Sequence, residues 1–239
     1  RQRQMCIRDS AMIYIVNKRR KLESIQKEYP NADILDLTSK SEYAKQLSPF
    51  YPHGNIPIPF SKGETATCVE AVWQGLKVFE NFGVDFDTFR NNTMKNLKRT
   101  VRKYGQPKGH QKGIYSRELL DYFQARVQIY LPTYKWMLDN ISSVKNLLLR
   151  ISERAKTHDL VFLDFNTNYD YRDLSTPLSH AGLIKLYIEN QYPNPSSQDQ
   201  PYTQEQLEER KNKIKESKKK TNKRKKAKKE KITEGPSLF

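Results

Sequence analysis

The chain has 239 residues, 36% of them hydrophobic, and a mean hydropathy of −0.87, which fits one packed domain with a polar appendage better than one fully packed unit. No apolar run approaches the ~18 residues of a membrane span, and no apolar N-terminal core marks a secretory signal, which argues against a membrane-spanning or signal-directed protein. The net charge of +16 is uneven: residues 210–231 hold 14 Lys and Arg against 2 acidic side chains, whereas the body from Met12 to Glu209 is nearly neutral and need not bind nucleic acid itself.

Two cysteines, Cys6 and Cys68, and four scattered histidines offer neither a disulfide framework nor zinc-ligand spacing. The expectation is an intracellular, cytoplasmic protein with no metal and no cofactor. Arg1–Ser10 resembles translated adapter sequence of the kind fused to reading frames from environmental DNA. Residues 1–11 are therefore read as a non-native leader with the natural start at Met12. Residues 12–190 form the expected globular domain, and 191–239 a linker and disordered basic tail.

Ile13–Val16 reads as a first strand, Lys18–Tyr29 as a charged helix stopped by Pro30, and Ala32–Leu37 as a second strand. Ser48–Phe60 holds four prolines and a glycine, so it is an irregular, aromatic-rich loop. Over Thr67–Glu80, Val69, Val72, Trp73, Leu76 and Phe79 recur at helical spacing, with Thr67 and Glu70 placed as a capping box. On that helix Glu70, Gln74 and Lys77 share a neighbouring face. Asp85–Lys103 reads as a second helical stretch and Tyr104–Gly113 as a flexible Gly/Lys loop without phosphate-loop spacing. A long helix is expected from Ser116 to Leu131, broken or kinked by Pro132 and continued over Thr133–Asn140. Val144–Lys156 is an amphipathic helix, Leu160–Phe165 a strand, Asn166–Pro177 a polar loop and Leu178–Asn190 a last helix. Tyr202–Lys231 is compatible with transient helix but has nothing apolar to bury and is expected to be disordered. The expected class is α+β, mostly helical, with one small sheet from the three strands named.

Three features carry chemistry: the loop Ser48-Pro49-Phe50-Tyr51-Pro52, the Glu70–Lys77 segment, and the stretch from Leu163 through Asp170 into Gly182. Glu70 offers a carboxylate beside the amide of Gln74 and the ammonium of Lys77: a carboxylate can stabilise a sugar cation or activate water, and an ammonium can hold a phosphate. Glu70 reads equally as a capping residue, and the Glu70/Lys77 face as a solvated one. Asp170, on a loop after a buried strand, is the expected second acid; Asp164, alternating with apolar neighbours on that strand, is the alternative. Phe50 and Tyr51 read as loop anchors or as stacking partners for a base. Trp73 fits an ordinary core position or a pocket wall, and His180 a helix start or a site residue. The run containing Lys218, Lys219, Lys220, Lys223, Arg224, Lys225 and Lys226 has the density of a nucleic-acid or nuclear-localisation patch.

From Ser48 to Glu189 the order of these motifs resembles the NADAR superfamily. That family has an S-N-F-x-P-like loop, a helix of the form E-H-x-F-Q-A-x-K-F, and an acidic stretch followed by a Gly-led apolar helix. Here the matches are Ser48–Pro52; Glu70, Trp73, Gln74, Gly75, Lys77 and Val78; Thr167–Asp170; and Gly182–Leu186. Ala71 stands where the family carries His, and Tyr171-Arg172 where it carries Trp-Gly. The resemblance implies an N-glycosidase acting on an ADP-ribose or ribosyl-phosphate compound, with Glu70 and Asp170 catalytic. Phe50, Tyr51, Trp73, Gln74, Lys77, Asp164, His180 and Gly182 would contact substrate, and ADP-ribosylated nucleic acid could be recruited by the tail. A non-catalytic protein that binds ADP-ribose or nucleic acid is the second expectation.

Overall fold

The computed structural model describes residues 11–214 and Glu216. The leader Arg1–Ser10 and the cluster Lys218–Lys226 lie outside them. The chain divides into a body ending at Asp199 and a second unit from Gln200 onward. The body is a mixed helix-and-sheet fold with more helix than strand. Among the described residues no helix is long and apolar enough to cross a membrane.

The three strands expected from sequence form one parallel sheet. β1 (Ile13–Asn17) and β2 (Asp33–Asp36) flank a central β8 (Leu160–Asp164), giving the order β1-β8-β2. The central strand, LVFLD, is buried at every position, as a strand covered on both faces must be. Its side chains alternate between two cores. Val161 and Leu163 meet Val16 and Ile25 of α1 (Leu22–Glu28), whereas Leu160 and Phe162 join the main core. β1 and β2 thus do not pair with each other; β8 intervenes, because only it has no polar face to turn to water.

The segment read as one helix over Thr67–Glu80 is shorter. α2 spans Val69–Gly75, and Lys77–Phe79 is strand β5. The N-cap is Cys68 rather than Thr67: Cys68 Sγ accepts from Ala71 N at 3.3 Å, and the Thr67 hydroxyl bonds Asn91 O. The helix stops where its carbonyls find other donors. Gly75 O accepts from Asp85 N and Leu76 O from Gln111 N, which hands the backbone to the sheet. At Gly75 an added Cβ would lie 2.2 Å from the Phe89 ring, so glycine permits the crossing of α2 over α3 (Phe86–Arg90).

Short strands β3 (Ile56–Pro57) and β4 (Thr65–Ala66) pair antiparallel within the proline-rich region. The stretch read as helix over 85–103 forms only α3 and α4 (Val101–Tyr104). The Gly/Lys segment is not a free loop: Pro107–Gln111 is β6, paired to β5 and to β7 (Leu119–Leu120). Gly109 makes that possible, because a Cβ there would stand 2.5 Å from Leu120 O. The long helix expected from Ser116 starts instead at α5 (Tyr122–Ala125), capped by an Asp121/Gln124 capping box. A π-helical turn over Arg126–Tyr130 then leads into α6 (Leu131–Asn140). Pro132, which cannot donate a backbone hydrogen bond, sits in the first turn of α6 beside the π turn, so the helix continues instead of breaking.

α7 (Ser142–Ala155) and α8 (His180–Ile188) agree with the periodicity. The chain past α8 stays on the body: Tyr192 Oη donates to Leu131 O at 2.9 Å, and Tyr171 Oη donates to Asp199 at 2.7 Å. In the second unit, residues 204–214 are helical, in keeping with the helix-compatible reading of that stretch, and most of the tail beyond them lies outside the described residues. Gly75→Ala is expected to destabilise the body by about 2 kcal/mol through overpacking against Phe89, measured by urea unfolding; an unchanged midpoint would mean that Phe89 moves aside freely.

Candidate functional site

A cavity of about 360 Å³ opens at the carboxyl end of the parallel sheet, lined by Asp164 at the end of β8, by Phe165 and Asn166 beyond it and by Ser39 after β2. Ligands of open parallel sheets characteristically bind at this end, where the strands deliver side chains into loops. The opposite wall comes from α2, β5 and the proline-rich loop, with Pro49, Phe50, Glu70, Trp73, Gln74 and Lys77. Glu70 N donates to Pro49 O at 2.8 Å, which fixes the loop to the first turn of α2.

Glu70 is 7% exposed, and its Oε1 accepts from Gln74 Nε2 at 2.8 Å, the i,i+4 geometry of one helix face. Gln74 Oε1 in turn accepts from Arg99 N at 3.1 Å. Arg99, itself buried, donates to Gln74 O at 3.4 Å and Lys77 O at 2.5 Å and approaches Asp85 at 3.6 Å. Both ends of the Gln74 amide are thus committed, so its orientation is fixed and it aims one donor at Glu70. Burial raises the Glu70 carboxyl above its ordinary value of 4.5, and the Gln74 hydrogen bond and the charges of Lys98, Lys77 and His180 offset this only in part.

Asp164 has the opposite surroundings. Its Oδ2 accepts from Ser179 Oγ at 2.7 Å, His180 Nδ1 at 3.1 Å and Ala181 N at 3.4 Å, and its Oδ1 from Phe165 N at 2.7 Å. Burial pushes its carboxyl up, but the His180 charge and these donors prevail and hold it below 3.8. The carboxylate fills the positive N-terminal end of α8. On the other edge of the His180 ring, Nε2 lies 2.7 Å from Leu37 O. A carbonyl and an ionised carboxylate both accept, so this setting favours the charged ring, which donates from both nitrogens. Burial pulls the ring down, yet Asp164 and Leu37 O leave it raised above 6.5.

The remaining charges are cationic. Lys77, in β5, is lowered by burial and partly restored by Glu70. Lys98 lies 5.5 Å over the Phe50 ring. Arg126 is buried and holds the loop after β8, donating to Tyr171 O at 3.3 Å, Asp173 O at 2.7 Å and Thr176 O at 3.1 Å. Trp73 stacks on His110 at 3.8 Å and meets Tyr130 edge-on at 5.7 Å. His110 is buried without a hydrogen-bond partner among the described residues, and burial and then Lys77 push it down to about 3, so it is neutral.

The cavity therefore brings together Phe50, Glu70, Trp73, Gln74, Lys77, Asp164 and His180. Three expected residues do not line it. Tyr51 packs on His53 at 4.8 Å. Asp170 closes a turn, accepting from Arg172 N at 3.1 Å while its own N donates to Asn168 Oδ1 at 3.0 Å. Gly182 admits Tyr169, whose Cβ would stand 2.3 Å from a side chain at that position. Lys98, Tyr122, Arg126 and Tyr130 line the cavity and were not anticipated. Arg126 was open to detection as a charge in register with Phe123 and Ile129, a place where burial demands several acceptors. Lys98 gives no such signal, because it arrives from a loop.

Glu70→Gln is expected to raise the unfolding midpoint at neutral pH, equivalent to about 1 kcal/mol, because a carboxyl with a raised pKa is destabilising once ionised and Gln keeps the acceptor. Asp164→Asn is expected to cost about 3 kcal/mol, since it strands His180. Equal effects in thermal melts would contradict the contrast between the two acids. A second expectation concerns pH. A raised histidine stabilises fully below 6.5 and loses that contribution as pH rises through its folded value; a lowered one loses stability as pH falls from 6.5 toward its folded value. His180 and His110 therefore place a stability maximum near pH 6.5, and His180→Gln should flatten the alkaline limb while His110→Phe flattens the acid limb.

No curated protein and no solved structure matches the chain. Residues 17–184, most of the body and more than half of the whole, match a family of unknown function, DUF6939. The chain belongs to that family.

Proposed function

We propose that this protein is a divergent NADAR-like N-glycosidase that hydrolyses the bond between a base and an ADP-ribose or ribosyl-phosphate unit. One observation supports this above the others: a single cavity holds a buried carboxyl raised toward neutrality, two lysines and an aromatic wall. Lys77 and Lys98 are the cations for phosphate, and Phe50 and Trp73 are the flat faces for a base. Ala71, buried in the core, and Tyr171 and Arg172 lie outside the cavity lining, so the positions that depart from the NADAR pattern are not those that shape it.

In this reading Glu70 is the catalytic carboxylate. As the C1′–N bond breaks, its electron pair leaves with the base nitrogen and positive charge grows on the sugar. Water adds at C1′, Glu70 takes its proton and returns it to the departing nitrogen. Asp164, occupied by four donors, is a positioning residue: it keeps His180 charged, and that charge limits how far the Glu70 carboxyl rises. Asp170, expected from sequence as the second acid, has no part in this mechanism. The charge of residues 210–231 favours a substrate carried on nucleic acid.

The test is mass spectrometry of the full chain incubated with an oligonucleotide carrying ADP-ribosylated guanine, with NAD and with a ribosylaminopyrimidine phosphate. Release of base is expected from one of them, reduced at least ~100-fold in Glu70→Gln. The acid limb of kcat/KM should lie above the 4.5 of an ordinary glutamate, because activity is lost as pH falls through the raised value of the base. Full turnover by Glu70→Gln would overturn the mechanism. Binding of ADP-ribose without cleavage would make the chain a reader instead.

A further inference from the structure

Three tyrosines follow one another along α5, the π turn and α6, and their hydroxyls have different fates. Tyr122 Oη accepts from Arg126 at 3.1 Å, and Tyr134 Oη, deep in the core, donates to Leu47 O at 2.7 Å. Tyr130 lies between them, lines the cavity, and among the described residues its hydroxyl has no hydrogen-bond partner. Its ring is not free to leave. It lies parallel to Tyr134 at 6.1 Å with an interplanar angle of 5°, and edge-on to Trp73 at 5.7 Å and 76°. A phenol held this firmly stays at the cavity, where its hydroxyl is available as a hydrogen-bond donor.

The backbone that carries it is also unusual. The π turn Arg126–Tyr130 widens the helix by one residue where it faces the cavity, and such turns recur at functional sites because they redirect side chains that a regular helix would place elsewhere. Two cavity-lining residues, Arg126 and Tyr130, are its first and last. Burial first, then the charges of Glu70 and Asp164, push the Tyr130 phenol well above 10. It remains an O–H donor at any working pH and cannot serve as a base.

Resting on the N-glycosidase reading of the cavity, we propose that the Tyr130 hydroxyl is a catalytic group that holds the attacking water against Glu70. The water accepts from Tyr130 Oη and donates to the Glu70 carboxylate, leaving one lone pair directed at C1′. As the O–C1′ bond forms and the C1′–N bond breaks, the water proton passes to Glu70 and the electron pair leaves with the base nitrogen. Tyr130 gains and loses no proton; it orients the nucleophile.

The experiment compares the full-length wild type, Tyr130→Phe and Tyr134→Phe on whichever substrate the wild type cleaves. The Tyr130→Phe variant keeps the ring and both aromatic contacts. Its kcat should fall about 10- to 100-fold, a typical range for an orienting hydrogen bond. Its KM should change less than about threefold and its melting temperature by no more than about 2 °C. Tyr134→Phe removes a hydroxyl satisfied by protein, so it should lower the melting temperature and leave kcat near wild type. A Tyr130→Phe protein with wild-type kcat overturns the role of Tyr130 while leaving the glycosidase reading intact, as does a KM rise with kcat unchanged, which would mean ground-state binding only. A wild type that cleaves no N-glycoside, whether or not ADP-ribose raises its melting temperature, overturns both.

Discussion

The contact on which the rest of the body depends is the buried ion pair between Asp164 and His180. It joins three pieces of chain that are distant in sequence. Asp164 ends the central strand, Ser179 and Ala181 begin α8, and Leu37 O belongs to the exit from β2. A buried carboxylate or a buried imidazolium alone is expensive, and here each cancels the other while backbone and hydroxyl donors satisfy what remains. The geometry favours a charged histidine, since both ring nitrogens face oxygen acceptors. The end of the sheet, the start of α8 and one wall of the cavity are therefore set by the same proton.

What the sequence disclosed and what it hid divide along physical lines. The three strands of the sheet were legible because they are short β-rich runs bounded by turn residues, and α7 because its apolar face repeats at helical spacing. Order within the sheet was not, because β8 enters between β1 and β2 from more than a hundred residues away. The Glu70–Lys77 cluster was found for a partly different reason from the one that makes it real. Glu70 and Gln74 do share a helix face, but Lys77 reaches the cavity from β5. Helical periodicity and a turn into a strand place Leu76 and Phe79 in the core alike, so the apolar pattern could not separate them. The β6 segment was illegible because its pairing comes from backbone groups, and the side chains of PKGHQ carry no strand preference. Asp170 and Asp164 are both acids near the end of one strand, and only the three-dimensional path shows which one turns inward.

The two buried carboxyls of the cavity are the same functional group in opposite states, and the cause is donor count. Asp164 receives four donors and stays ionised below the usual carboxylate range. Glu70 receives one, from an amide that Arg99 has already fixed, and burial wins. Nothing in the fold prevents a fuller set of donors around Glu70: Lys77 and Lys98 line the same cavity, and the Tyr130 hydroxyl has no other partner among the described residues. A carboxyl needed only for structure would gain stability by taking those bonds. With one protein donor to Glu70 and two lysines lining the same cavity, these groups are open to hydrogen bonds from outside the protein. The same comparison separates the two tyrosines that line the cavity: the Tyr122 hydroxyl accepts from Arg126, whereas the Tyr130 hydroxyl has no partner among the described residues. In the proposed reading the ligand presents anionic oxygens to the lysines and a hydroxyl or water between Glu70 and Tyr130, as a phosphorylated sugar does and a purely apolar ligand does not.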